Sequence, residues 1–378
     1  MNKKFIKWQL KEWIPLISVM FAIFAVILIP TCLNFEPVKR IIDYKTKYDH
    51  MASYSPTYIL IIINVISYIF AAMSPIFVYE YRFKKRKVDT YYQLPLNKNE
   101  FKNTRIILAI VCQIAITTFF YWLVIIILAI KWNVDYSALL NEYTNLSTDS
   151  VIYYNYGYMA LYYIVLIVTQ VCFYFISCFL ASLSNNAQSA LSNVCLGHFI
   201  LAAITIAIIS IISRGIALEN EVQADLISFT PCLHGILAIH YMIFDGYIYP
   251  VYSYVNIKSI YIISLVIIFV LGCLAGFYDL FFKDPSGENA GSTKGRYKWC
   301  YLIPHIAFIL AGILISAMLT IRAVFLTFLT ILFFLIIYYL FLCSRNKTFK
   351  LKLNDYIFIA ITGVMTLILS FIEFASRR

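Results

Sequence analysis

Apolar residues run through this chain in long blocks separated by short polar segments. The blocks fall at roughly 13–33, 58–79, 106–131, 157–182, 190–213, 259–282, 301–319, 323–343 and 356–374. A helix needs about 20 consecutive apolar residues to cross the hydrocarbon core of a bilayer, and these blocks are of that length. The pattern therefore predicts an all-α fold, a polytopic transmembrane helical bundle of about nine spans.

Two segments depart from that pattern. In residues 1–12, Ile6 and Leu10, with Trp13 just beyond, recur at helical spacing opposite Lys4, Lys7 and Lys11. This predicts a short amphipathic helix with its apolar face in the headgroups. The stretch LISFTPCLHGILAIHYMIF, residues 226–244, is apolar but broken by Pro231 and Gly235. Helices interrupted in this way are too short to span, so 226–250 reads as a re-entrant or interfacial outer segment. An ordinary loop with some apolar packing fits the same residues. The N-terminal lysines followed by apolar residues also resemble a signal peptide, but the apolar run is too long and no A-x-A site follows. The expectation is an uncleaved first span.

Composition agrees with a lipid environment. The 378 residues are 62% hydrophobic and 13% charged, with a mean hydropathy of +0.80, far from the roughly even apolar balance and quarter charged fraction of soluble domains. The net charge of +11 would suggest nucleic acid in a soluble chain. Here the basic residues gather in short segments between spans, so no nucleic-acid partner is expected. With the N-terminus in the cytoplasm, twenty of the 30 Lys and Arg fall on the cytoplasmic side, eight of them in 80–105. The segment 34–56 runs against this rule with Lys39, Arg40, Lys45 and Lys47. The nine cysteines form no CxxC pair and lie mostly within spans, where a thiol packs as a small hydrophobe. They predict neither a metal site nor a disulfide framework.

The chain offers little catalytic chemistry at sequence level. Ionisable residues within spans are functional candidates, and here they are His198, Asp279, His305 and Glu373, on four different blocks with no paired spacing. Asp279 lies near a helix end, where solvation is expected. SGENAGSTKG, residues 286–295, looks like a phosphate loop. Its glycines are one residue too close, and Lys294 is not followed by Ser or Thr. No catalytic residue, bound cofactor or metal is expected in the chain.

One polar segment stands out. From Phe77 to Leu96 the chain reads FVYEYRFKKRKVDTYYQLPL, and Val88, Tyr91, Tyr92 and Pro95 fall at helical spacing after a basic cluster. The second span is expected to project from the bilayer as a helix and to break at Leu94, because Pro95 disfavours helical geometry there. Asn97 and Glu100 are spaced as a capping box for a new helix running through Arg105 into the third span. Such a bent segment presents Tyr, Leu and Pro in the manner of an interface anchor. Tyrosines that simply anchor the loop at the membrane surface fit the same composition.

Residues 88–98, VDTYYQLPLNK, resemble the "v-D-x-Y-x-S-L-P-I-S-R" segment between the second and third spans of ABC transporter permeases of the ABC-2 type, especially those of low-GC Gram-positive bacteria. Asp89, Tyr91, Leu94 and Pro95 match, Lys98 replaces an Arg, and Gln93 and Asn97 replace serines. Residues 286–291, SGENAG, resemble the "s-E-x-A-G" found after the sixth span of the same permeases.

The resemblance implies a six-helix exporter-like core over 13–283, with 1–12 as the amphipathic connecting helix, 80–105 as the coupling segment and 226–250 as the outer re-entrant segment. Residues 284–378 form a C-terminal extension with three further spans. It implies a non-catalytic permease of a bacterial cell membrane, paired with a second permease, the same or different. ATP and magnesium would be bound by separate ABC ATPase subunits. Asp89, Tyr91, Tyr92, Leu94, Pro95 and Lys98 would form the ATPase-coupling surface. The Tyr-, Phe- and Ile-rich spans suit export of a hydrophobic or amphipathic substrate such as a peptide, drug or lipid, and the same composition is what lipid-facing helices need in any case. An ion-driven secondary transporter and a membrane-embedded transferase are the rival readings.

Overall fold

The computed structural model describes residues 3–34, 38–42, 49–53, 57–83, 89, 98–142, 156–216, 254–281, 292, 297–318 and 324–376. Among these residues the architecture is helical. In chain order the helices are α1 (Lys3–Asn34), α2 (Thr57–Val78), α3 (Lys98–Glu142), α4 (Tyr156–Ser182), α5 (Ala187–Ile216), α6 (Tyr254–Phe281), α7 (Leu302–Met318), α8 (Val324–Asn346) and α9 (Leu353–Ser376). Eight of them are long and apolar enough to cross a membrane. The exception is α6, whose apolar part within the described residues is Leu265–Phe281. The chain is thus a multi-pass helical membrane protein, and every expected span coincides with a helix.

Two local differences from the sequence reading stand out. The expected amphipathic segment 1–12 is not separate from the first span: from Lys3 it forms the opening turns of α1. Pro15 sits inside this helix without ending it. The segment 34–56 contains a short antiparallel hairpin, β1 (Val38–Ile42) with β2 (Asp49–Ser53), in which Arg40 faces Met51 in register. Residues 226–250 and the whole 286–291 motif lie outside the described residues.

The helices form two compact units. In the first (1–71, 100–174 and 232–273), α1 lays one stripe inward: Met20, Phe24, Leu28 and Cys32, four residues apart, are all buried. Ile14, Val19, Val26 and Leu33 point outward, as a lipid-facing surface requires. Phe24 stacks on Phe120 of α3 at 5.2 Å and on Phe70 of α2 at 5.7 Å. Between α2, α3 and α4 the packing turns polar. Ser67 and Thr117 approach to 3.5 Å, Gln170 Nε2 donates to Thr117 Oγ1 at 3.1 Å, and the hydroxyls of Tyr68 and Thr169 are 2.7 Å apart. Helices in lipid gain no hydrophobic drive from meeting each other, so such bonds and close backbone approach hold them together. Gly272 of α6 supplies a close approach. A Cβ there would fall on Cβ of Cys172 and lie 2.7 Å from its Cα.

In the second unit (72–99, 175–231 and 274–378), α7 packs against α9 and α5, and α8 packs against α9. Leu183, Cys300 and Ile303 form a small buried core there, covered by Phe179, Leu180, Leu196 and Ile200.

Candidate functional site

The segment singled out by sequence begins where α2 stops. Helix α2 does not project as expected: it ends at Val78 and tightens into a 3-10 turn, Glu80–Arg82. Pro75 lies one turn before the end, and its carbonyl accepts the Tyr79 N–H at 2.9 Å. The turn then closes through Arg82 N–H to Tyr79 O and Phe83 N–H to Glu80 O.

Tyr79, Tyr81, Arg82 and Phe83 are all buried, so these aromatic and basic residues pack inward instead of facing solvent. The reason is tertiary. The Arg82 guanidinium lies 5.6 Å from the Tyr79 ring centroid and donates to the carbonyl of Ser182 at 3.4 Å, at the end of α4. Asp279 of α6 is 2% exposed, contrary to the expected cheap solvation at its helix end. Burial pushes the Tyr79 hydroxyl well above the usual phenol range, the Asp279 carboxylate raises it further, and Arg82 opposes both. Tyr79 is therefore a buried, neutral phenol packed beside the Arg82 guanidinium.

At the far end of the segment, Lys98 is exposed and is the first residue of α3, which runs without interruption to Glu142. The expected continuation of this helix through Arg105 into the third span is what the structure has. Arg105, 1% exposed, fixes this helix to α1. Its Nη1 donates to Gln9 Oε1 at 3.1 Å and lies 4.0 Å from Glu12 Oε2. Its guanidinium carbon sits 5.4 Å from the Trp13 ring and 5.6 Å from the Phe101 ring. Phe5 packs on Phe101 at 5.2 Å. One delocalised cation thus gathers two polar partners and two aromatic faces, which suits Arg and not Lys. Sequence reading missed this role for Arg105, although Gln9, Glu12 and Trp13 occupy one helical face and were the available signal.

Of the six expected coupling residues, Asp89 and Lys98 are exposed. Tyr91, Tyr92, Leu94 and Pro95 lie outside the described residues.

The ionisable residues expected to be isolated have specific neighbours. His198 Nε2 is 2.7 Å from Ser177 Oγ, the arrangement of a hydrogen-bonded packing histidine. His305 belongs to a cluster that the sequence did not reveal. Its Nδ1 is 2.5 Å from the Tyr338 hydroxyl, and its Nε2 is 3.2 Å from Asp355 Oδ1. The ring stacks on Phe358 at 4.3 Å. Asp355 Oδ2 also accepts the Lys352 N–H at 3.1 Å, capping α9. Nearby, Arg345 donates to Cys300 O at 3.4 Å. With the Asp355 oxygen as acceptor Nε2 is the donor, and the tautomer that results leaves Nδ1 to accept from the Tyr338 hydroxyl. One residue each from α7, α8 and α9 therefore meets in a defined pattern. Glu373 falls outside the residues whose side chains are described.

Among the described residues no cluster of three or more His, Cys, Asp and Glu side chains could hold a metal ion. Comparison with protein families, with curated proteins and with solved structures finds no match.

Proposed function

We propose that this chain is the transmembrane permease subunit of an ATP-driven exporter. In this reading, 80–105 receives motion from a separate ATPase, and the bundle exports a hydrophobic or amphipathic substrate such as a peptide, drug or lipid. The observation that carries the reading is the uninterrupted helix from Lys98 into the third span, tied to α1 through Arg105. Force applied at Lys98 has a stiff route into the membrane, and it moves α1 and α3 together at their Arg105 junction. The likeness of VDTYYQLPLNK to an ABC-2 coupling segment names the source of that force.

The permease works beside a second permease, identical or different, in a bacterial cell membrane with its N-terminus in the cytoplasm. It carries no catalytic residues, and ATP and magnesium belong to the ATPase subunits. The test is purification of the complex from its native membrane, with identification of every copurifying chain. ATP hydrolysis should require a second chain bearing a phosphate loop. Hydrolysis by the homogeneous permease alone would refute the proposal.

One observation favours a second reading. The buried His305–Asp355 pair with Tyr338 is the kind of group set that carries protons in ion-driven transporters. A proton-driven carrier would lose transport when the proton gradient is collapsed with ATP still present, and an ATP-driven exporter would not. The same pair also meets the requirement of a membrane-embedded transferase for converging acid and base groups. That reading predicts turnover of a covalent product, which an exporter does not make.

A further inference from the structure

Between α8 and α9 the chain reads KTFKLK, residues 347–352, and then enters α9 at Leu353. The loop is well tied. Lys347 adopts a left-handed conformation with φ 54° and closes the end of α8 through Thr348 N–H to Cys343 O at 3.2 Å. Thr348 Oγ1 accepts the Lys350 N–H at 3.1 Å, the Tyr339 hydroxyl donates to Phe349 O at 3.1 Å, and Lys352 N–H is held by Asp355.

A loop tied this closely nevertheless leaves Phe349 75% and Leu353 74% exposed. Lys347, Lys350 and Lys352 are exposed around them. Apolar residues at 349, 351 and 353 alternate in sequence with lysines at 350 and 352. The acid closest in sequence, Asp355, is buried and engaged by His305 and the Lys352 N–H, so it does not neutralise the lysines.

In water, holding two large apolar side chains outward between ammonium groups is unfavourable. Both flanking helices are membrane-spanning in length and composition, which places the loop at the bilayer surface. There, acyl chains can receive Phe349 and Leu353, and phosphates can receive the lysines. We propose that this loop is a binding site for anionic phospholipid headgroups. The lysines select charge and the two apolar side chains set depth. The site depends on membrane insertion alone, so it stands whether or not the chain is a permease.

The test uses the full-length protein in neutral detergent, titrated separately with dioleoylphosphatidylglycerol, dioleoylphosphatidylcholine and inorganic phosphate. Retained lipid is counted by native mass spectrometry. With a factor of about five per lysine near an anionic surface, the anionic lipid should be preferred by roughly a hundredfold. The triple variant Lys347→Gln, Lys350→Gln, Lys352→Gln should bring the two lipids to near equality without changing the unfolding temperature. Phe349→Ala should weaken both lipids and leave their ratio intact. A control, Lys7→Gln with Lys11→Gln, should keep most of the preference. Undiminished preference in the triple variant would overturn the proposal. Displacement of the lipid by an equal concentration of phosphate would also overturn it, by identifying a free-phosphate site instead.

Discussion

Replacing one member of the His305–Asp355 pair should loosen the C-terminal helices, and replacing both should restore much of the loss. Asp355 Oδ1 faces His305 Nε2 and Oδ2 faces the Lys352 N–H. An amide has one oxygen, so Asp355→Asn must turn its NH2 toward one of these two donors and leave that donor opposed. Both side chains are largely buried, with 1% and 11% of their surfaces exposed. Breaking a buried pair costs up to about 3–5 kcal/mol, and one unsatisfied buried group about 1–3 kcal/mol. Because the amide keeps one of its two bonds, about 2–3 kcal/mol is expected.

In the double variant His305→Leu, Asp355→Asn, the amide oxygen is free to serve Lys352 and no ring donor remains. The double should therefore cost at least about 1 kcal/mol less than the sum of the singles. Cys343, one helical turn beyond Tyr339 and buried, reports local opening. In a background where it is the remaining cysteine, thiol labelling should accelerate about thirtyfold or more in Asp355→Asn and partly recover in the double. Unchanged labelling in the single variants, or singles that simply add, would refute the clasp. Transport retained by the double variant would assign the cluster to structure; transport lost with restored packing would assign it to proton movement.

Three further perturbations test other parts of the account. Arg105→Ala removes a charged hydrogen bond and two ring contacts and should cost about 3 kcal/mol in detergent unfolding, with Arg105→Lys intermediate; an unchanged transition would show that α1 and α3 do not depend on it. Gly272→Ala places a carbon against the backbone of Cys172 and should cost about 1–3 kcal/mol, whereas Gly272→Ser tolerated at full stability would mean the helices separate freely there. In single-cysteine variants, Lys98→Cys and Lys294→Cys should resist an impermeant thiol reagent applied from outside and Asn145→Cys and Asp245→Cys should react, since 20 of the 30 basic residues favour that orientation; outside labelling at Lys98→Cys would reverse it.

What the sequence disclosed follows from the range of the forces involved. Lipid demands apolar length locally, so the spans were visible as blocks. The continuation of Lys98 into α3 was visible from capping residues and the lack of a breaker. The end of α2 was not legible, because Arg82 is drawn inward to the carbonyl of Ser182, which arrives from distant chain. His305, Tyr338 and Asp355 are separated by 33 and 17 residues in sequence, a spacing that no local motif encodes. Asp355 falls just before the last apolar block, where sequence alone singles out no partner for it. The hairpin in 34–56 was hidden in a segment whose charges contradict the orientation rule.

The central claim is that residues 88–98 grip an ATPase, and one measurement addresses it directly. The complex is purified through a tag on wild-type permease and on the double variant Tyr92→Ala, Leu94→Ala, and the copurified ATPase and its substrate-stimulated turnover are compared. An interface anchor of this kind is worth about 2 kcal/mol or more, roughly thirtyfold in affinity. The account predicts that the variant inserts normally, keeps the wild-type unfolding temperature and loses the ATPase or its stimulated turnover. Wild-type copurification together with wild-type turnover in that variant would contradict it.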